Sequence, residues 1–159
     1  MNLKITKTLS VCLLALLASA DLVKAQSAWT IANGGGSATA ENSRSICTDA
    51  AGNIYITGSF QNTVDFNFGG AINSLTATGS LSDIFIASYE PDGDYRWAVR
   101  AGSSDADNTG NGAICADGTN VYVTGNFSGS VLFGATGLTS AGGTDVFVAK
   151  LNATTGAWT

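Results

Sequence analysis

The chain repeats itself, and an internal repeat restricts the folds open to it more than any other feature. Trp29 superposes on Trp97 at an offset of 68 residues, which also lays Gly34 on Gly102, Ala38 on Ala106, Ile46 on Ile114, Cys47 on Cys115 and Asp49 on Asp117. One deletion then lowers the offset to 67, so that NIYITGSF (Asn53 to Phe60) falls on NVYVTGNF (Asn120 to Phe127), with Val64 and Phe66 on Val131 and Phe133. A shorter loop lowers it to 62 and brings DIFIA (Asp83 to Ala87) onto DVFVA (Asp145 to Ala149). Tryptophan recurs once more at Trp158, which reads as the opening of a third copy.

Each copy reads as a set of short strands. In the first they are expected over 45–49, 53–60, 83–90 and 95–101. The turn Pro91-Asp92-Gly93 joins the last two, with proline fixing φ and glycine accepting positive φ. In the second copy the strands are expected over 113–117, 120–127 and 145–152, the fourth being cut off at the chain end. Thr, Val, Ile, Phe and Tyr fill these segments, a β-forming composition. An apolar fraction of 45 % separates the chain from disordered sequences. IFIA and VFVA are apolar at every position, so both faces of their strands need cover. A sandwich with one wet face alternates more cleanly. Four strands per unit, apolar on both sides and regularly repeated, suit blades stacked in a β-propeller.

The ordered blocks Cys-x-Asp, Asn-[Ile/Val]-Tyr-[Ile/Val]-Thr-Gly-x-Phe, Asp-[Ile/Val]-Phe-[Ile/Val]-Ala and Gly…Trp resemble the SBBP-type β-propeller repeat of exported bacterial proteins. The resemblance covers nearly all of the chain after residue 25, in two copies. It implies four-stranded antiparallel blades in tandem, and no enzyme, cofactor or ligand. The departure is copy number, since two blades cannot close a ring. The expected domains are therefore a first repeat over 26–101 and a truncated second repeat over 102–159, an incomplete ring.

Residues 1–25 read as a secretory signal: Lys4 and Lys7, an apolar run from Leu9 to Ala20, then small residues that permit cleavage after Ala20 or, preferably, after Ala25. The run is short for a membrane span. Cys12 lies inside it, against a lipid-modified cysteine. Removing residues 1–25 leaves 4 basic and 11 acidic groups, a net charge of −7. Such a surface repels phosphate backbones, which argues against nucleic acid and anionic lipid as partners.

The chain has no histidine, so no Ser-His-Asp, Cys-His or His-metal site can be built. Cys47 and Cys115 occupy equivalent positions, too far apart on neighbouring blades to bridge, and are expected as free thiols. Asp49 with Asp117, and Asp83 with Asp145, recur in both copies, which favours turn-bracing over catalysis. Asp65 has no acidic counterpart, Leu132 standing in its place, and reads as less structural. The loop holding Asp105, Asp107 and Asn108 has the spacing of a calcium loop. Thr109 and Ala116 stand where the template asks for Asp or Asn and for Glu, so a plain solvated turn is the stronger reading. Trp29, Trp97 and Trp158 could form a sugar-stacking row, but their fixed place in the repeat favours packing between sheets.

The expectation is an exported, non-enzymatic structural or interaction module, secreted, periplasmic or on the cell surface. Its partner would be a protein or a glycan. The alternatives are a carbohydrate-binding module and a fragment of a propeller-based glycan hydrolase or lyase. Exposed blade faces, carrying Ile84-Phe85-Ile86 and Val146-Phe147-Val148, are expected to drive self-association.

Overall fold

β-Branched and aromatic residues separated by glycine turns give ten strands among the described residues. The computed structural model describes residues 32, 34–68, 70–104, 107–108 (backbone only) and 113–159. Residues 1–25, read from the sequence as a secretory signal, together with Trp29 and Asp105, lie outside them. The strands are β1 (Asn42–Thr48), β2 (Ile54–Phe60), β3 (Thr63–Asp65), β4 (Ser74–Thr76), β5 (Asp83–Tyr89), β6 (Tyr95–Gly102), β7 (Asp107–Asn108), β8 (Ile114–Ala116), β9 (Asn120–Phe133) and β10 (Thr136–Asn152). There is no helix among the described residues, and so none long and apolar enough to cross a membrane. The chain is all-β, and its main sheet is antiparallel and curled.

The first unit is the meander β1-β2-β5-β6, and the second is β8-β9-β10. Their registers repeat. Cys47 pairs Tyr55 and Ile46 pairs Ile56 in the first, as Cys115 pairs Tyr122 and Ile114 pairs Val123 in the second. Thr57 pairs Ile86 and Gly58 pairs Phe85, as Thr124 pairs Val148 and Gly125 pairs Phe147. The connection expected as a plain Gly/Thr/Ser loop holds a further hairpin. In the first unit it is the separate pair β3–β4. In the second, the far end of β9 and the start of β10 form it, with Val131 opposite Leu138 where the first unit sets Val64 opposite Leu75.

Two expectations need correction. The units are not separate sheets. β6 runs on so that Ala101 pairs Phe133 and Gly102 pairs Leu132, which joins the meander to β9. Nor does Trp158 take the place of Trp97. It pairs Leu151, as Tyr95 pairs Tyr89 in the first unit. The turn explains the shift: a register slip between Ser88 and Tyr89 sets Trp97 opposite Ser88, beyond the point that Trp158 reaches.

Strand pairing assigns side chains to faces, because opposed residues point the same way. Cys47, Tyr55, Ile84, Ile86, Trp97 and Ala101 share one face of the first unit. Ile114, Val121, Val123, Phe127, Phe147 and Leu151 share one face of the second. These two faces form a single core, in which Tyr55, Ile84, Ile86, Val121 and Leu151 are wholly buried. Each large apolar side chain buried there contributes about 1.5–3 kcal/mol.

The opposite face of the first unit forms a second core of Phe60, Phe85, Ala87 and Tyr89. It was expected to be bare, and it is buried. The hairpin β3–β4 and the turn after it bring Val64, Phe66 and Ala77 into this core, and Phe68 stacks on Tyr89. β5 is consequently buried at every position. The remaining face, that of Tyr122, Val146 and Val148 on the second unit, is exposed as expected, with both valines 78 % accessible.

Candidate functional site

The recurring aspartates brace turns. Asp49 Oδ1 accepts from the amides of Ala51 and Asn53, while Oδ2 accepts from Asn53 Nδ2 and from the Tyr55 hydroxyl at 2.9 Å. Asp117 repeats this with the amides of Thr119 and Asn120, Asn120 Nδ2 and the Tyr122 hydroxyl. At Asp49 burial acts to raise the pKa, but the bonds from Asn53 and Tyr55 outweigh it and hold the carboxyl below its usual range. At Asp117 the amides of Asn120 and Thr119 lower it. Tyr55 passes the network on, since Arg96 Nη1 donates to its hydroxyl and to Ser88 Oγ, and Arg96 Nε pairs with Glu90 at 3.1 Å.

Asp65 also proves structural, contrary to its sequence reading. Its Oδ1 accepts from the amides of Asn67 and Asn73 and closes the loop between β3 and β4. The second unit turns tightly through Gly134, at φ 61°, and needs no such brace where Leu132 stands.

Among the described residues Asp83 is the one acid buried completely. Its Oδ2 accepts from the Thr78 amide at 2.9 Å and from Arg100 Nη1 at 2.8 Å. Its Oδ1 is buried with no hydrogen-bond donor. Burial pushes the carboxyl above its usual range, against the pull of the Thr78 amide and Arg100. The carboxylate fills the space a side chain at residue 102 would need: a Cβ on Gly102 would collide with the Asp83 carboxylate. Thr78, Arg100, Gly102, Ser103, Ser104, Leu132 and Gly134 line a groove of about 500 Å³ beside it. This groove lies at the seam where β6 meets β9. Among the described residues its charged lining group is Arg100, whose guanidinium is held by the buried Asp83. Asp145, the counterpart of Asp83, accepts the Ala141 amide at 2.6 Å.

Arg100 went unremarked in the sequence. The available signal was a basic residue two positions from Ala98 in an apolar strand, on the face that carries the recurring Asp83.

The remaining candidates are dispersed. Asp107 and Asn108 form β7, paired with Phe127 and Asn126 on β9. Among the described residues no group of three His, Cys, Asp or Glu side chains gathers to hold a metal ion. Cys47 and Cys115 are both free thiols. They occupy equivalent positions, Cys47 opposite Tyr55 and Cys115 opposite Tyr122. Burial, with smaller contributions from Cys115 and Asp49, pushes the Cys47 thiol up to about 11. Trp97 is buried, and its Nε1 donates to the Ala153 carbonyl at 3.1 Å. Trp158 meets Phe133 edge-on at 5.2 Å and lines a second groove of about 460 Å³ with Tyr122, Leu138, Val148 and Lys150.

Neither models of known protein families nor the curated proteins match this chain. The resemblance drawn from the sequence therefore rests on the chain's own repeated residues.

Proposed function

We propose that this chain is an exported, non-enzymatic structural or interaction module built from β-propeller-type repeats of the SBBP kind. The observation that carries the reading is the stacking of one repeat on the next through unlike faces. The face bearing Tyr55 and Ile86 packs on the face bearing Val123 and Phe147, while the polar side chains that recur are spent on turns. That is how blades follow one another in a propeller, and it leaves loops and one free sheet face for recognition.

The test is fractionation of cells that make the chain, followed by N-terminal sequencing of the exported protein. A start at Gln26 supports the reading, and protein retained in the cytoplasm with Met1 intact overturns it. A hydrolase or lyase working through Asp83 would lose glycan cleavage on Asp83→Asn substitution. The module proposed here has no such cleavage to lose.

A further inference from the structure

Arg100 stands on the wall of the seam groove, and what holds it is buried. Its Nη1 donates to Asp83 Oδ2 at 2.8 Å and to the Thr78 hydroxyl. The carboxylate is wholly buried, while the Arg100 side chain is 40 % exposed and lines the groove. Its Nε and Nη2 have no partner among the described residues. The guanidinium is thus clamped at one corner and open at the other, with little rotamer freedom left to lose on binding. The exposed Ser104 and Leu132, the latter 53 % exposed, supply a hydroxyl and an apolar patch to the same groove. Gly102 and Gly134 bring bare backbone to its surface, as close approach of a ligand requires. Its volume of about 500 Å³ falls among those of small-molecule sites.

We propose that this seam groove binds a neutral sugar unit, whose hydroxyl oxygens accept from Arg100 while an apolar face of the ring lies on Leu132. Charge and hydrogen bonding select the class. Asp83 already balances Arg100, and the chain as a whole is negative, so a free anion gains little here. A metal ion finds no ligand in Asp83, because that carboxylate is wholly buried. A purely apolar molecule would strip water from the guanidinium without replacing its hydrogen bonds. An added peptide strand is refused at the seam, where Gly102 and Leu132 already pair with each other. A sugar meets every group present. Its hydroxyls accept from Arg100, which has only donors, and exchange bonds with Ser104 and Thr78, whose hydroxyls both donate and accept. Both walls, the end of β6 and the hairpin of β9, lie inside the repeat array.

The inference deepens the repeat-module reading and rests on it, since an exported chain meets glycans outside the cell. The test is an NMR titration of the purified full chain, following backbone amides and arginine Nε–H. The probes are methyl α-glucoside, methyl α-mannoside and methyl β-galactoside, with sodium acetate as the anion. The expected result is a saturable shift with at least one glycoside in the millimolar range, confined to Thr78, Arg100, Gly102, Ser104 and Leu132, with acetate weaker. Arg100→Lys keeps the charge and loses the planar fork, and should weaken binding by about tenfold or more. Should that variant fold poorly on thermal unfolding, Ser104→Ala alters an exposed side chain and should weaken binding severalfold. Four results would each overturn the proposal: no saturable shift with any glycoside, shifts centred on the Trp158 groove, acetate binding as tightly as the sugars, or folded variants that bind like the parent. None of those outcomes touches export, which N-terminal sequencing reads separately.

Discussion

Phe66 meets Phe85 with 4.8 Å between ring centroids, tilted by 40°. Phe133 meets Phe147 at the same 4.8 Å, tilted by 49°, at the equivalent positions of the second unit. In each case a ring from the hairpin closes over the central strand. Replacing Phe66 or Phe133 with alanine should cost about 3–5 kcal/mol, the usual toll of emptying a buried aromatic site. Denaturant unfolding measures this. A Phe133→Ala variant as stable as the parent would mean that the hairpin does not cap the second unit.

Asp49 and Asp117 brace the same turn, yet they hold unequal partners. Tyr55 is buried in the core between the units, while Tyr122 faces solvent. Asp49→Ala leaves a buried hydroxyl short of one acceptor and should lower the melting temperature more than Asp117→Ala does. Equal losses would show that turn bracing alone matters at both sites. Because the Asp49 carboxyl is held below its usual value, its contribution is present above the unfolded-state pKa and fades as pH falls through the folded one.

Asp83 titrates in the opposite sense. Burial raises its carboxyl, so between the unfolded and folded pKa values the native chain binds the extra proton. Stability contributed by Asp83 is thus greatest below the unfolded value of 3.8 and declines as pH rises through the folded one. The stability difference between the parent and Asp83→Asn, measured from acid to neutral pH, should change only between those two values and stay constant below and above them. A constant difference throughout would contradict a raised carboxyl.

The two thiols should separate kinetically. Cys115 is exposed, whereas Cys47 is half-buried with its thiol pushed up to about 11, which leaves little thiolate near neutral pH. Dilute native protein should therefore alkylate quickly at Cys115 and at Cys47 only on unfolding, with both free under denaturing, non-reducing conditions. Rapid reaction of both in the native state would contradict the burial of the Tyr55 face.

Much of this was legible because the repeat states each local rule twice. The turn aspartates and the strand pairs around Tyr55 and Tyr122 follow from residues that recur, whereas the burial of Phe85 under the β3–β4 hairpin does not. What escaped were features set by loop length and by non-repeated neighbours. Trp158 looked like a second Trp97, but the slip between Ser88 and Tyr89 moves the register, and composition carries no trace of it. The seam of Ala101 and Gly102 on Phe133 and Leu132 joins strands that are distant in sequence and unremarkable in pattern. Asp65 lacked a twin because the second hairpin turns too tightly to need it.

The central claim is that two copies of one antiparallel unit share a single core. Native-state hydrogen exchange tests it most directly, since amides of β5 and of 121–127 lie on opposite sides of that core. The account predicts that both sets exchange only through one common opening, with the same free energy and the same denaturant dependence. Exchange of 121–127 at a distinctly lower free energy, while β5 remains protected, would show two units that fold independently and would contradict it.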